Sequence, residues 1–175
     1  YTDVVKVDER VVPEGEGFRT IRTPDEAAIR NDLKRLRSNG IQSVAIALMH
    51  AYGCDEHEKI VARIAREVGF ETVSASHEVM PSVKLVDRGD TTVLDAYLTP
   101  HIQRYIGGFK SGFDTELSGT ELFFMQSSGG LVEDSAFRGA NAILSGPAGG
   151  VVGYASEYRD KPLIGFDMGG TSTDV

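Results

Sequence analysis

The chain has 175 residues, of which 41% are hydrophobic and 25% are charged, and its formal net charge is −8. That length suffices for one domain with an apolar core, with or without the start of a second domain. The negative charge argues against nucleic acid or an anionic membrane as a partner, because both carry negative phosphate groups. No apolar stretch has the length that spans a bilayer, so a protein that acts on small molecules is the favoured class.

The cysteine content and the first residues indicate the compartment and the completeness of the chain. Cys54 is the single cysteine, so no internal disulfide can form, and we expect a cytoplasmic protein. The sequence starts at Tyr1 without a Met, and no charged and then apolar leader follows. We therefore expect a piece of a longer protein.

The first half of the chain alternates between strand and helix patterns. Strands are recognised here by apolar runs or strict alternation, and helices by caps, a one-sided apolar pattern and a final glycine. The predicted elements are, in order, an edge strand at 3–12, a helix from a Thr23 cap and Pro24 to Gly40, a strand at 41–49, a helix at 55–68 and a strand at 70–76. This order predicts an α/β fold, in which helices cover a parallel or mixed sheet.

The second half continues the same class with a larger share of glycine. The predicted elements are a helix from an Asp90 cap to Phe109 with a kink or a new start at Pro100, a buried strand at 120–126, a turn at 127–130, a glycine-rich helix from Gly146 and a buried strand at 162–168. The one plausible boundary lies near Asp160, which divides the chain into residues 1–160 and 161–175.

The last residues of the chain have the chemistry of a phosphate-binding turn. After the apolar strand, the chain presents a carboxylate, two glycines and hydroxyl side chains, namely Asp167, Gly169, Gly170, Thr171, Ser172 and Thr173. Glycine exposes backbone N–H groups, hydroxyls donate to phosphate oxygens and a carboxylate holds hydrated Mg²⁺. The sequence lacks the Gly-Lys-Ser/Thr of a P-loop, and a strand follows where the dinucleotide fingerprint needs a helix. An ordinary glycine-containing hairpin is the alternative.

Two further glycine-rich stretches are candidates for a ligand contact. Gly146, Gly149 and Gly150 begin a helix, whose N-terminus favours an anion, and tight packing at a hinge is the alternative. Residues 126–130 follow a strand and are candidates for one wall of a cleft, although a plain turn is the simpler interpretation.

The remaining polar candidates have simpler explanations. Arg88 has the geometry to bind a carboxylate, but pairing with the neighbouring Asp87 and Asp90 is favoured. A metal site at His50, Cys54 and His57 lacks a fourth ligand and a zinc spacing, so it is disfavoured. His77 and His101 stand alone in the sequence, which is typical of surface groups or of satisfied core groups.

In combination, four motifs resemble the hydantoinase/5-oxoprolinase family of ATP-dependent ring-opening amidohydrolases. They are DAYLTPHIQRY, FMQSSGGL, LSGPAGGVVGY and DMGGTSTDV, and the match extends in order over most of the chain. The stretches DRGDTT and YLTPHIQRYIGGF look more like the 5-oxoprolinase branch, because the hydantoinase branch usually carries Glu-Arg before its Ser/Thr pair.

The resemblance implies a partial actin-like, or ribonuclease H-like, ATPase fold. In that fold two α/β lobes, each opening with a phosphate-binding hairpin, enclose Mg-ATP. Residues 1–160 are then the later part of the first lobe with its hinge helix, and residues 161–175 open the second lobe. The family's first Asp-x-Gly-Gly-Thr hairpin is absent here, so we expect no turnover by these 175 residues alone.

For function, the resemblance implies ATP-driven opening of 5-oxoproline to glutamate, with ADP and phosphate as the other products. Asp167 would hold Mg²⁺, and the residues implied in binding ATP are Asp167, Gly169, Gly170, Thr171, Thr173, Gly149 and Gly150. No catalytic base is assigned. The alternatives are ATP-dependent hydantoin hydrolysis and a non-catalytic nucleotide-binding module. A hydantoinase B-type subunit or domain and self-association of the intact protein are implied as partners.

Overall fold

The structure, a computed structural model, describes residues 2–113, 120–157 and 161–175. The chain forms two compact units, Tyr1–Pro100 and His101–Val175, and one long helix contributes residues to both. The boundary predicted near Asp160 lies outside the described residues, so the division into residues 1–160 and 161–175 stays a prediction.

The first unit contains four strands and three helices as well as the first part of the long helix. They are β1 (Arg10–Glu14), β2 (Gly17–Arg22), α1 (Glu26–Ser38), β3 (Ser43–Ile46), α2 (Glu56–Val68), β4 (Thr72–Ala75), α3 (Ser76–Val79) and α4 (Leu85–Ser111). Strands β3 and β4 pair in parallel, and α2 connects them. This βαβ unit confirms the predicted α/β class.

The core of the first unit lies between α1, α2 and the parallel strand pair. Helix α1 buries the three residues that its periodicity predicts, Ile29, Leu33 and Leu36. Helix α2 contributes Ile64, which is fully buried, and β4 ends with the buried Ala75. The apolar stripes of the two helices therefore meet the sheet as the sequence pattern indicates.

The ends of these two helices follow capping chemistry. The side chain of Asp25, rather than the predicted Thr23, caps α1 by accepting the backbone N–H groups of Ala27 and Ala28 at 2.9 and 3.2 Å. Helix α2 ends at Gly69, whose φ of 98° lies in the left-handed region that favours glycine. The observed cap lies two residues after the predicted one, at a residue type that caps helices more strongly than Thr does.

The predicted first strand is wrong in its position and its partner. Strand β1 starts at Arg10, runs through Pro13 and pairs with β2 in an antiparallel hairpin, so it does not join the parallel strands. Pro13 is tolerated because this two-stranded hairpin has only edge strands. The turn contains Gly15 with a φ of 58°. The sequence analysis does not predict this hairpin, because Pro13 and the polar residues after it are typical of the end of a strand.

Two contacts join this hairpin and the residue before it to the rest of the first unit. The ring of Phe18 lies against Gly53, where an added Cβ would come within 2.5 Å of the ring. Just before β1, the carboxylate of Glu9 lies 2.6 Å from Nδ1 of His57, which is buried on α2. The Phe18 ring therefore packs directly against Gly53, and a side chain at position 53 would require the ring to move.

Helix α4 differs from its prediction at both of the marked positions. It begins at Leu85, before the predicted Asp90 cap, and it continues through Pro100 without a new start. The earlier start places Arg88 inside the first turns, where its side chain is fully buried. Among the described residues no helix is long and apolar enough to cross a membrane.

Besides the end of α4 and a short 3₁₀ helix at Asp134–Ala136, the described residues of the second unit form two hairpins and two α-helices. They are β5 (Phe123–Met125), β6 (Leu131–Glu133), α5 (Gly139–Ala142), α6 (Ser145–Glu157), β7 (Asp167–Met168) and β8 (Thr173–Asp174). The predicted strand at 120–126 and the predicted glycine-rich helix are present, with shorter bounds for the strand.

The apolar run before β7 differs from its prediction as a buried strand. Residues 163–166 lie outside any strand, and Ile164 is 89% exposed. Strand β7 has two residues and pairs with β8. An apolar run indicates a buried strand only where other elements cover it. The described residues supply no such covering layer over this run.

Candidate functional site

The segment predicted to bind phosphate forms an antiparallel hairpin. Asp167 lies opposite Asp174, and Met168 lies opposite Thr173. Between the strands, the backbone N–H of Gly169 donates to the carbonyl oxygen of Ser172 at 2.9 Å and closes the loop. The structure therefore brings Asp167, Gly169, Gly170, Thr171 and Thr173 together in one short turn.

This hairpin is exposed along its whole length, so its loop is accessible to a ligand. An added Cβ at Gly170 would meet no atom within 4 Å, and at Gly169 it would lie 3.6 Å from the carbonyl oxygen of Ser172. Neither glycine has a positive φ. Within the described residues, packing and backbone conformation therefore do not require glycine at position 170, and the loop is open to the close approach of a ligand.

Two carboxylates share one side of the hairpin. Directly opposite residues in an antiparallel pair project from the same face of the sheet, and Asp167 and Asp174 form such a pair. Mg²⁺ prefers oxygen ligands and is commonly bound through one or two carboxylates, with water completing its coordination. The donor set therefore fits Mg²⁺. In the ranges that the structure describes, no cluster of three or more His, Cys, Asp or Glu side chains has the arrangement of a metal site.

The candidate glycines of α6 have different surroundings. An added Cβ at Gly150 would lie 3.5 Å from Oδ2 of Asp167, so this glycine faces the hairpin. The same atom at Gly149 would lie 3.7 Å from the Met125 side chain on β5, so Gly149 faces the other hairpin. Gly146 has open space around it. Of these three candidates, only Gly150 is placed beside Asp167.

The stretch at 126–130 is the turn between β5 and β6. Gly129 adopts a φ of 82°, and its backbone N–H donates to the carbonyl oxygen of Gln126 at 2.9 Å. The Ser127 hydroxyl donates to the carbonyl oxygen of Asn141 at 2.8 Å and accepts the backbone N–H of Leu144 at 3.0 Å. These bonds join the turn to the segment before α6, and they support the simpler interpretation of a structural turn.

Arg88 is part of a buried polar network that sequence reasoning missed. Its guanidinium donates to the backbone carbonyls of Leu48 at 2.5 Å and Met49 at 3.1 Å, and to the Ser76 hydroxyl at 2.9 Å. It also donates to the carbonyl oxygen of Ser82. The prediction that Arg88 pairs with its neighbouring acids is therefore wrong, because the helix turns the side chain inward.

Glu58 is the acid of this network, and it lies on α2 with no exposed surface. Its carboxylate accepts the Leu48 backbone N–H at 2.8 Å and the Ser76 hydroxyl at 2.6 Å. It also accepts the backbone N–H of His77 at 3.0 Å, with the His77 ring nitrogen at 2.7 Å. The partners are far apart in sequence, so the one available signal was a Glu within an otherwise apolar helix face. The network has the character of a satisfied core, as expected for His77.

The histidines and the cysteine of the disfavoured metal site have other surroundings. His57 contacts Glu9, as described above, whereas the His50 ring lies 6.0 Å from the Phe18 ring and 6.2 Å from the Tyr52 ring, measured between centroids. Cys54 is a free, partly buried thiol. His101 lies exposed on α4. In this part of the described chain, His50 therefore belongs to an aromatic cluster with Phe18 and Tyr52.

Comparison with known proteins gives a consistent result along the chain. A family model described as Hydantoinase/oxoprolinase matches residues 88–175. A second model, described as Hydantoinase/oxoprolinase N-terminal region, matches residues 1–69. Together the two matches include β3, α2 and the hairpin at Asp167, and β4 lies between the two matched ranges.

Similar proteins include enzymes named for a lactam substrate. The chain is 46% identical to the 5-oxoprolinase of Saccharomyces cerevisiae and to 5-oxoprolinase 1 of Arabidopsis thaliana, in alignments that cover all of this chain. It spans only 16% and 15% of those proteins. The crystal structure of the ATP-dependent caprolactamase from Pseudomonas jessenii matches 95% of this chain and 25% of its own, with a TM-score of 0.77 and 30% identity.

Proposed function

Because the chain belongs to the hydantoinase/oxoprolinase family, we propose that it is part of an ATP-dependent enzyme that opens the lactam ring of 5-oxoproline to give glutamate. The observation that carries the proposal is the open β7–β8 hairpin, in which Gly170 is required neither by packing nor by backbone conformation. The identity to 5-oxoprolinases supports the substrate.

The hairpin would bind the phosphates of ATP through its backbone and its hydroxyls. Gly169 and Gly170 present backbone N–H groups without a side chain that would block their approach, and Thr171 and Thr173 add hydroxyl donors. In the described structure the Gly169 N–H donates to Ser172, so phosphate binding would exchange or share that bond. Gly150 leaves room beside Asp167 for its carboxylate to turn.

Asp167 is the residue that we propose as the Mg²⁺ ligand, with Asp174 opposite it on the same face. Bound Mg-ATP would supply a phosphoryl group that converts the unreactive lactam oxygen into a leaving group. The protein residues would hold the phosphates in position and exclude competing geometries. No residue of this chain is assigned as the general base or as a lactam ligand.

The finer parts of the proposal concern the intact protein. We propose a two-lobed, actin-like ATPase, in which residues 161–175 open the second lobe and α6 is the hinge helix. A hydantoinase B-type subunit or domain and self-association are further proposals that rest on the family alone. The cytoplasm is the proposed compartment, on the basis of the single cysteine.

The test is phosphate release from Mg-ATP by the full-length protein, with 5-oxoproline, with hydantoin and with neither compound. Stimulation by 5-oxoproline, with glutamate formed in equal amount, is the expected result. Stimulation by hydantoin alone would keep the ATP-dependent reaction and replace the substrate. Nucleotide binding without stimulated release by either compound would contradict the enzyme proposal and favour a binding module.

A further inference from the structure

The side chain of Tyr154 on α6 fills the space beside two glycines. A Cβ added at Gly165 would lie 2.4 Å from both Cδ2 and Cε2 of the Tyr154 ring. A Cβ added at Gly150 would lie 3.8 Å from Cε2 and 3.9 Å from the hydroxyl oxygen of the same residue. The ring therefore lies so close to Gly165 that a side chain at position 165 would require the ring to move.

The same ring lies close to the proposed Mg²⁺ ligand. The position of an added Gly150 Cβ is 3.5 Å from Oδ2 of Asp167 and 3.9 Å from the Tyr154 hydroxyl oxygen. The Asp167 carboxylate and the Tyr154 hydroxyl therefore both lie within 4 Å of the same point beside Gly150. Gly165 and Asp167 are separated by a single residue, so the Tyr154 ring contacts the backbone that leads directly into β7.

This contact matters because the segment before β7 is mostly exposed and has no strand partner among the described residues. Residues 163–166 lie outside any strand, and the cavity beside them has a volume of about 250 Å³. It is lined by Tyr154 and Glu157 from α6 and by residues 163–166. The Tyr154 ring therefore forms part of the cavity wall and contacts the segment at Gly165.

We propose that Tyr154 is a positioning residue for the phosphate-binding hairpin. Its ring fixes the backbone at Gly165 and thereby the place of the Asp167 carboxylate, while Gly165 provides the space for the ring. This inference rests on the proposed function of the hairpin, and it adds to that proposal a residue that does not touch the nucleotide. An error of about 1 Å in the position of such a group is enough to weaken binding and catalysis.

The first test measures the affinity of the full-length protein for Mg-ATP and for adenosine by calorimetry. In Tyr154→Ala we expect the dissociation constant for Mg-ATP to rise about tenfold or more, because the phosphate-binding backbone loses its support. The constant for adenosine, which has no phosphate, stays within about twofold. Tyr154→Phe keeps the ring and stays within about twofold for both ligands.

The second test is a double-mutant cycle between positions 154 and 165. Gly165→Ala alone weakens Mg-ATP binding about tenfold, since its Cβ has no room beside the ring. In the Tyr154→Ala background the same substitution adds less than about twofold, because the obstructing ring is gone. Equal effects of Gly165→Ala in the two backgrounds would overturn the assignment.

Controls separate the possible failures. Tyr105→Ala, which removes a tyrosine that is 65% exposed on α4, is expected to leave both affinities unchanged. If Tyr154→Ala does not fold, Tyr154→Leu replaces it with the same expectation. Normal Mg-ATP affinity in these variants, or equal losses for Mg-ATP and adenosine, would overturn only the positioning role. A wild-type protein that does not bind Mg-ATP would overturn the proposed function and this inference with it.

Discussion

At the scale of single residues, the glycines of the second unit have different physical reasons to be glycine. Gly165 has no room for a side chain, because the Tyr154 ring occupies the space. Gly129 has a positive φ. Gly170 has neither constraint within the described chain. A glycine that the fold does not need is a stronger indicator of a ligand than a glycine that the fold requires.

Gly170→Val in the full-length protein should abolish Mg-ATP binding without unfolding the hairpin. The added side chain would occupy the proposed phosphate approach, and the open surroundings and ordinary φ of Gly170 accommodate it. Calorimetric titration with Mg-ATP measures the effect. Gly107→Val, at an exposed glycine of α4 that also has open surroundings, is the matched control and should bind normally. Unchanged affinity in Gly170→Val would remove the loop from the nucleotide site.

Asp167→Ala in the full-length protein should abolish Mg-ATP hydrolysis. The substitution removes the proposed Mg²⁺ ligand and leaves a single carboxylate, Asp174, on that face of the hairpin. Phosphate release is the measurement, and Asp87→Ala, at an exposed acid of α4, is the control with normal release expected. A near-normal rate in Asp167→Ala would exclude this carboxylate from the mechanism.

Arg88→Met should lower the free energy of unfolding of the chain by about 3 kcal/mol or more. The substitution leaves the backbone carbonyls of Leu48, Met49 and Ser82 without their donor and removes the group that orients the Ser76 hydroxyl toward Glu58. Urea unfolding measures the change. Arg30→Met, at a surface ion pair with Glu67, is the matched control, with a loss below about 1 kcal/mol. Equal losses in the two variants would contradict the central role of the buried network.

At the scale of elements, α1 and α2 show how a surface network can accompany a shared core. Their apolar stripes pack on the parallel strands, while Arg63 of α2 contacts Glu26 of α1 at 2.7 Å and Glu67 at 2.9 Å. Arg30 of α1 also pairs with Glu67. Hydrogen bonds from Arg30 and Arg63 hold the pKa of the Glu67 carboxyl below its ordinary value.

The lowered pKa of Glu67 predicts a stabilising effect that acid removes. Because the pKa is lower in the folded state than in the unfolded state, the contribution is fully present above the unfolded value of about 4.3 and is lost as the pH falls through the folded value. Glu67→Gln should therefore be less stable than the wild type at pH 7, with a smaller difference at pH 3, as measured by urea unfolding.

The two arginines provide the control for this pH dependence. In a chain that already carries Arg30→Gln and Arg63→Gln, the Glu67→Gln substitution should no longer produce a pH-dependent difference, because the hydrogen bonds that lower the pKa are gone. A difference of the same size at both pH values would assign the effect of Glu67 to packing.

The elements also show which parts of the fold were predictable. Helices α1 and α2 followed from caps, final glycines and a one-sided apolar pattern, which are local signals. The β1–β2 hairpin was missed because its pairing overrides the breaking tendency of Pro13. The strand expected at 162–168 shrank to β7, because burial depends on a covering layer rather than on the run itself.

In the candidate site, as in the fold, the features with local sequence signals were predictable and the tertiary contacts were not. The residues of the hairpin loop are neighbours in sequence, so their types and spacing indicated a common turn. The placement of Gly150 beside Asp167 and of Gly149 beside Met125 depends on how α6 packs, which no local pattern specifies. The Arg88 and Glu58 network joins α2, α3, α4 and the segment after β3, and no local sequence pattern indicates contacts between such distant residues.

At the scale of the whole molecule, the two units differ in how much apolar surface they bury. The first unit has a core of ten buried residues. In the second unit many large apolar side chains are exposed, among them Val151, Ile164, Phe166 and Met168. Apolar side chains that are exposed in such number are candidates for contact with other parts of a protein. This is consistent with the proposal that residues 161–175 open a further lobe.

The 175-residue chain by itself should bind Mg-ATP weakly or not at all. In the proposed two-lobed enzyme the nucleotide is held between two phosphate-binding hairpins, and only one of them lies in this chain. Calorimetry of the isolated chain and of the full-length protein makes the comparison, with Gly170→Val in the full-length protein as the reference for lost binding. Micromolar affinity of the isolated chain would contradict the assignment of the lobes.

The seat of Phe18 against Gly53 has a consequence for the order of events during folding. Strands β1 and β2 are adjacent in sequence, so their hairpin needs no other part of the chain in order to close. Gly53, however, lies in the loop that precedes α2, which a ribosome delivers later. Because an isolated two-stranded hairpin is only marginally stable in water, we expect β1 and β2 to become stably paired only after Gly53 has been synthesised and Phe18 can pack against it.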